Sequence, residues 1–306
     1  MSSLFAFPGQ GAQQPGMLHR LPRETHGYLR QASDALGEDI LALDNSEALQ
    51  GTRAVQLCLL VAGVASARWL MQRSPAPDYV AGLSIGAYAA AVVADALDFA
   101  DAVRLVALRG ELMQGAYPQG YGMTALSGPD LGQVEQLLAD VGGEVFIANL
   151  NAEHQLVIAG SEVAMAAVAE QARERGLGIA SRLAVSVPSH CPLLEEPARA
   201  LAQAFARIEL RRPSIRYLSG SSARLVVDPE RLRDDLAWNM ARVVDWRATL
   251  RNAYERGVRL HIEMPPGSVL SGLARRVMEQ GRVVSVDGTR ADTLDALLRQ
   301  EVSHSR

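Results

Sequence analysis

Gly82-Leu83-Ser84-Ile85-Gly86 lies between the apolar Tyr79-Val80-Ala81 and a small-residue run from Ala87 to Ala94. The apolar run predicts a strand and the small-residue run a helix. A strand, a tight turn with glycine on both sides of a serine, and a helix form the setting of a nucleophile elbow. A side chain at either flanking glycine would meet the neighbouring strand or helix, so the turn demands glycine there. The serine hydroxyl is held out at a helix N-terminus, where free N–H groups favour negative charge.

The rest of the chain sets the frame for that turn. Its 306 residues suffice for one large domain, or for a domain carrying an insertion. The net charge of −4 offers no basic excess for nucleic acid. All 30 basic residues are arginine. Two cysteines, Cys58 and Cys191, are no disulfide framework. The first residues, Met1 to Phe7, carry no signal-peptide pattern. The greasiest runs, Val55 to Val64 and Ala87 to Ala94, are too short to span a bilayer. The expectation is a cytoplasmic protein with no membrane segment.

Leu4 to Phe7 reads as a short buried strand closed by Pro8-Gly9-Gln10-Gly11. Helical patterns follow at Arg53 to Gln72 and, beyond the Ser84 turn, at Phe99 to Tyr117. Alternating strands and helices predict an α/β fold with a parallel sheet covered on both faces. The middle of the chain differs. Strands are expected at Gly122 to Ser127, Val145 to Asn149, Gln155 to Ala159 and Ala180 to Val187. Helices are expected at Pro129 to Val141 and Ser161 to Arg175, with Ser161 as N-cap and a turn-rich link from Asn149 to Glu153. That order, βαββαβ, is a ferredoxin-like unit spanning 121–188, inserted between 1–120 and 189–306. Strands at Ser214 to Ser219, Val258 to Glu263 and Arg282 to Val286 continue the large unit. The cleft between the units is the expected substrate site.

A serine hydroxyl needs a base. Of six histidines, His19, His26 and His304 lie in polar surroundings, His154 in a hairpin turn and His261 inside a strand pattern. His190, in Val187-Pro188-Ser189-His190-Cys191-Pro192, falls where the inserted unit returns to the large one, and so at the cleft. No His/Cys/Asp/Glu grouping has metal-ligand spacing, so no metal is expected.

Taken together, Phe7-Pro8-Gly9-Gln10-Gly11-Ala12-Gln13, Gly82 to Gly86, Arg109-Gly110 with Met113, Val187 to His190, and Glu263 to Gly267 resemble the malonyl-CoA:acyl-carrier-protein transacylases, from residue 4 to about 290. The resemblance implies an α/β-hydrolase-like large domain with a ferredoxin-like lid. It implies Ser84 as nucleophile and His190 as general base, with the histidine oriented by a backbone carbonyl, that of Asn239. The backbone N–H groups of Gln10 and Ile85 become the oxyanion hole, and Arg109 the partner of the malonyl carboxylate. No bound cofactor is implied: a coenzyme A thioester and the prosthetic thiol of an acyl carrier protein are the substrates. Leu83, Ile85, Ala87 and Met264-Pro265-Pro266 depart from the usual biosynthetic pattern. Gly-Leu-Ser-Ile-Gly-Ala-Tyr is similar instead to the transacylase (epsilon) subunit of malonate decarboxylase, which moves malonyl to a carrier subunit with a phosphoribosyl-dephospho-CoA arm. The decarboxylase role is therefore the leading expectation, and the housekeeping transacylase of fatty acid or polyketide synthesis the alternative.

Two other classes compete. A serine esterase would want an acid in the order Ser, Asp/Glu, His, for which Asp101, Asp130 and Asp140 are available. A Ser–Asp dyad could draw on Asp287. A non-catalytic carrier-binding subunit is the last alternative.

Overall fold

The structure is a computed structural model, and it describes residues 2–117 and 119–303; His304 lies outside the described residues. Its strands are β1 (Ser2–Phe7), β2 (Tyr79–Gly82), β3 (Tyr121–Ser127), β4 (Val145–Ala152), β5 (Gln155–Ser161), β6 (Ile179–Arg182), β7 (Arg216–Leu218), β8 (Leu225–Val226), β9 (Val244–Asp245), β10 (Val258–Glu263) and β11 (Arg282–Ser285). They form two sheets among α-helices, a mixed α/β architecture.

The larger sheet runs β11-β10-β1-β2-β7-β8. Its first five strands are mutually parallel, and β8 closes the edge antiparallel to β7. The β1 sequence is apolar at successive positions because both faces are covered. Phe5 and Phe7 pack into the core that holds the helices Thr52–Met71 and Phe99–Ala116, while Leu4 and Ala6 pack with Trp246, Leu250 and Leu270 on the other face. The helix Thr52–Met71 corrects the reading that no stretch could span a bilayer. It is long and apolar enough by composition, but 83% of its apolar window is buried inside the molecule. Its apolar surround is the mark of a central core helix.

The smaller sheet runs β6-β3-β5-β4-β9. β3, the helix Leu131–Val141, β4, β5, the helix Glu162–Glu174 and β6 follow in that chain order. β5 shows the strand period of two. Leu156 and Ile158 face the two helices, and Val157 and Ala159 face the other way, toward Met123, Val185 and Cys191. Ser161 caps its helix, its Oγ accepting from Ala164 N at 3.3 Å, and Asp130 with Gln133 forms a capping box.

Three expectations need correction. The link Asn149 to Glu153 is mostly strand: β4 runs to Ala152, and the turn is confined to Glu153 and His154. Its asparagines suggested a turn, but the pairing of Asn149 with Val157 prevails. The strand expected at Ala180 to Val187 stops at Arg182, because the chain then leaves the sheet. The two-residue β9, from the large unit's part of the chain, pairs in parallel with β4 and extends the small sheet. The βαββαβ unit therefore shares its sheet with the rest of the chain.

Candidate active site

The turn after β2 is built as its residues require. A Cβ on Gly82 would fall 2.0 Å from the backbone carbon of Gly86, and one on Gly86 would fall 2.2 Å from the Phe7 carbonyl oxygen. Leu83 N donates to that same oxygen at 3.0 Å. Strand β1 and the loop after it are thus pressed against the elbow, which brings Gln10 to the site. Ser84 itself has φ 55°, a left-handed conformation that non-glycine residues seldom adopt. The helix Gly86–Val93 starts immediately, with Ile85 as its N-cap. The Ile85 N–H therefore belongs to the set of donors that a helix leaves without an internal acceptor.

His190 meets Ser84 from across the fold. Its Nε2 lies 2.8 Å from Ser84 Oγ. Its Nδ1 lies 2.9 Å from the Asn239 carbonyl oxygen and 3.1 Å from that of Arg242. A carbonyl can only accept, so Nδ1 carries the proton and the Nε2 lone pair faces the serine hydroxyl. The expected orienting carbonyl of Asn239 is in place. The second, from Arg242, escaped the sequence, since a backbone carbonyl has no residue signature. His190 also has a positive φ, 64°, and its N–H donates to the Met240 carbonyl at 2.7 Å. Burial, with the Arg109 charge adding to it, lowers the His190 pKa from 6.5 to about 4.

Arg109 is fully buried, on the helix Phe99–Ala116. Its Nη2 donates to Ser84 Oγ at 3.3 Å and to Asn239 Oδ1 at 3.1 Å, while Nε and Nη1 have no partner. Its guanidinium stands 5.8 Å from the Tyr88 ring centre. Burial holds its pKa below the usual arginine range. An interior cation facing only neutral groups is costly unless an anion joins it. The guanidinium does not line the open cavity; its route to the site runs through Ser84.

The cavity beside Ser84 and His190 has a volume of about 360 Å³ and is lined by the loops that follow β1 and β2, by helices of the larger unit and by strands β3, β4 and β5 of the smaller sheet. Gln10, Gln56, Met113 and Leu270 stand on one side, and Met123, Asn149, Asn151, Gln155 and Val157 on the other. The Oδ1 atoms of Asn149 and Asn151 are buried without partners. Sequence reasoning missed these two; their alternation with Ala148 and Leu150 was the available signal. Gln56, whose Nε2 donates to Met113 Sδ at 3.3 Å, gave no signal in the helix pattern. Glu263 organises the wall indirectly. Its buried carboxylate accepts from Leu270 N at 2.9 Å and Ser271 N at 2.6 Å and so caps the helix Val269–Ala274. Burial raises its pKa.

The remaining candidates are engaged elsewhere. Asp101 pairs with Arg104, Asp130 caps its helix and Asp140 pairs with Arg175. Asp287 Oδ2 accepts from Gly267 N at 2.7 Å. His261 is a core histidine on β10, fully buried, and His154 sits at the β4–β5 turn. His19 pairs with the buried Asp44.

The acyl transferase domain family matches residues 4–303. The malonyl CoA-acyl carrier protein transacylase of Haemophilus influenzae is 38% identical over 292 residues, which is 92% of this chain and 94% of that protein. The chain belongs to the malonyl CoA-acyl carrier protein transacylase family. The Escherichia coli transacylase is 36% identical over 288 residues, covering 90% of this chain and 92% of that one. Among solved transacylase structures, that from Coxiella burnetii superposes with a TM-score of 0.92 at 35% identity, over 98% of each chain. A malonyl-transacylase solved with its type II PKS acyl-carrier protein gives a TM-score of 0.90 at 34% identity, over 98% of this chain and 100% of that one.

Proposed function

We propose that this protein transfers malonyl from malonyl-CoA, through an ester on Ser84, to the phosphopantetheine-type thiol of an acyl carrier protein. One observation carries the chemistry: Ser84 Oγ lies 2.8 Å from His190 Nε2, whose ring is held by carbonyls on Nδ1. Ser84 Oγ attacks the thioester carbonyl and gives its proton to Nε2. The oxyanion is received by the N–H groups of Gln10 and Ile85; one such donor is worth about 3 kcal/mol in the transition state. The C–S bond breaks and Nε2 returns the proton to the coenzyme A sulfur. The carrier thiol then gives its proton to Nε2, attacks the ester carbonyl, and Ser84 Oγ leaves and is reprotonated. The malonyl carboxylate goes to Arg109, whose guanidinium turns from its place behind Ser84 toward the cavity to meet it.

The fold supports this reading as a hydrolase-like unit (1–120 and 189–306) under a ferredoxin-like lid (121–188), with the cavity lined by both. The cytoplasm, where coenzyme A thioesters are made and used, suits it. The relatives named above favour the biosynthetic role over the malonate decarboxylase subunit first expected from Leu83, Ile85 and Ala87. Which purified carrier accepts the acyl group separates the two. Mixing the protein with malonyl-CoA should add one malonyl group by intact mass, and Ser84→Ala should remove that adduct. An unmodified wild-type protein would favour the non-catalytic subunit, and release of free malonate at the rate of acylation would favour the esterase.

The pH dependence follows from the depressed imidazole. Only neutral His190 can take a proton, so kcat/KM for acylation should stay level from neutral pH downward and drop only as pH falls toward about 4. A limb near the ordinary histidine value would contradict the burial of this ring.

A further inference from the structure

Residues 183–190 follow β6 with no regular secondary structure. They nonetheless carry three cavity-lining residues, Leu183, Ala184 and Val185, and then Ser189 and His190, which also line it. Few backbone bonds hold this strap: Leu183 N donates to Met123 O at 3.0 Å, Ser189 N to Val187 O at 2.9 Å and His190 N to Met240 O at 2.7 Å. The carbonyls in between converge on one side chain. Arg182 Nη1 donates to the carbonyls of Met123 at 2.8 Å, Leu183 at 3.1 Å and Val185 at 3.0 Å. Arg182 Nη2 donates to Tyr121 O at 2.9 Å and Glu162 Oε1 at 3.3 Å. The fork lies flat over β3, where a Cβ on Gly122 would fall 2.0 Å from Nη2.

We infer that Arg182 is a positioning residue, whose guanidinium moors the strap 183–189 to β3 and thereby fixes the cavity wall and the approach of His190 to Ser84. The inference deepens the transfer reading above and rests on it. Four carbonyls from two segments are more than one ammonium can gather, so the rigid fork is what the site needs. Arg182 belongs to none of the hydrophobic clusters, and its side chain is 40% exposed. Its loss should therefore act on the strap and not on global stability.

The test uses the full chain. Arg182→Ala should raise KM for malonyl-CoA and lower kcat, each by roughly tenfold, the scale set by small misplacements of reacting groups. Arg182→Lys, which keeps the charge but has three donors on one atom and no planar fork, should recover only a small part of that loss, whereas full recovery would reduce the role of Arg182 to its charge. Amide hydrogen exchange should quicken in peptides covering 183–190 and stay as in the wild type across Leu4 to Phe7. If the alanine variant does not fold, Arg182→Gln is measured in its place. Wild-type kinetics, or exchange that quickens evenly through the molecule, would overturn the inference. Exchange needs no turnover, so a wild-type protein that forms no malonyl adduct defeats the transfer reading alone.

Discussion

His190→Ala should slow the acylation of Ser84 by roughly 10⁴-fold, the upper range for loss of a general base. Without the Nε2 acceptor at 2.8 Å, the serine proton has no destination within the site. Arg109 Nη2 does donate to Ser84 Oγ at 3.3 Å, but a guanidinium cannot accept a proton in exchange. Ser84→Ala removes the hydroxyl that accepts the acyl group, so no acyl-enzyme should form in it, whether or not His190 is present. Rapid-quench measurement of the first turnover checks both statements. An acylation rate within tenfold of the wild type in His190→Ala would assign the base to another group.

Arg109→Ala should lower kcat/KM for malonyl-CoA by about 10³-fold while leaving acetyl transfer within a few fold. Losing one partner of a buried, hydrogen-bonded charge pair costs on the order of 2–5 kcal/mol, and each 1.4 kcal/mol is tenfold. The selectivity follows from where the cost sits. Nε and Nη1 of Arg109 are buried without a hydrogen-bond partner, so a malonyl carboxylate removes an existing penalty and an acetyl group does not. Competition between the two thioesters, with products resolved by mass, gives the ratio directly. Equal losses for both acyl groups would make Arg109 a support for Ser84 and Asn239, to which it already donates.

The elbow was legible because its geometry excludes everything but glycine at residues 82 and 86, and such exclusions leave a mark in sequence. The βαββαβ order was legible through the succession of strand and helix runs and the N-cap at Ser161, whereas the capping box of Asp130 and Gln133 emerged only in the structure. The strap was not. Leu183, Val185 and Val187 alternate like a strand, and nothing in that pattern tells that Arg182 takes up the carbonyls a neighbouring strand would have paired. The second carbonyl on His190 and the two-residue β9 depend on contacts between distant segments, which local patterns do not encode. Among 30 arginines, the burial of Arg109 likewise had no local signature.

The backbone at the two reacting residues restricts what could ever stand there. Ser84 and His190 occupy φ values of 55° and 64°, a region hostile to residues branched at the β-carbon. Threonine, chemically able to form the same ester, is disfavoured at position 84 by torsion, not by reactivity. Ser84→Thr therefore carries a torsional cost that Ser84→Cys does not.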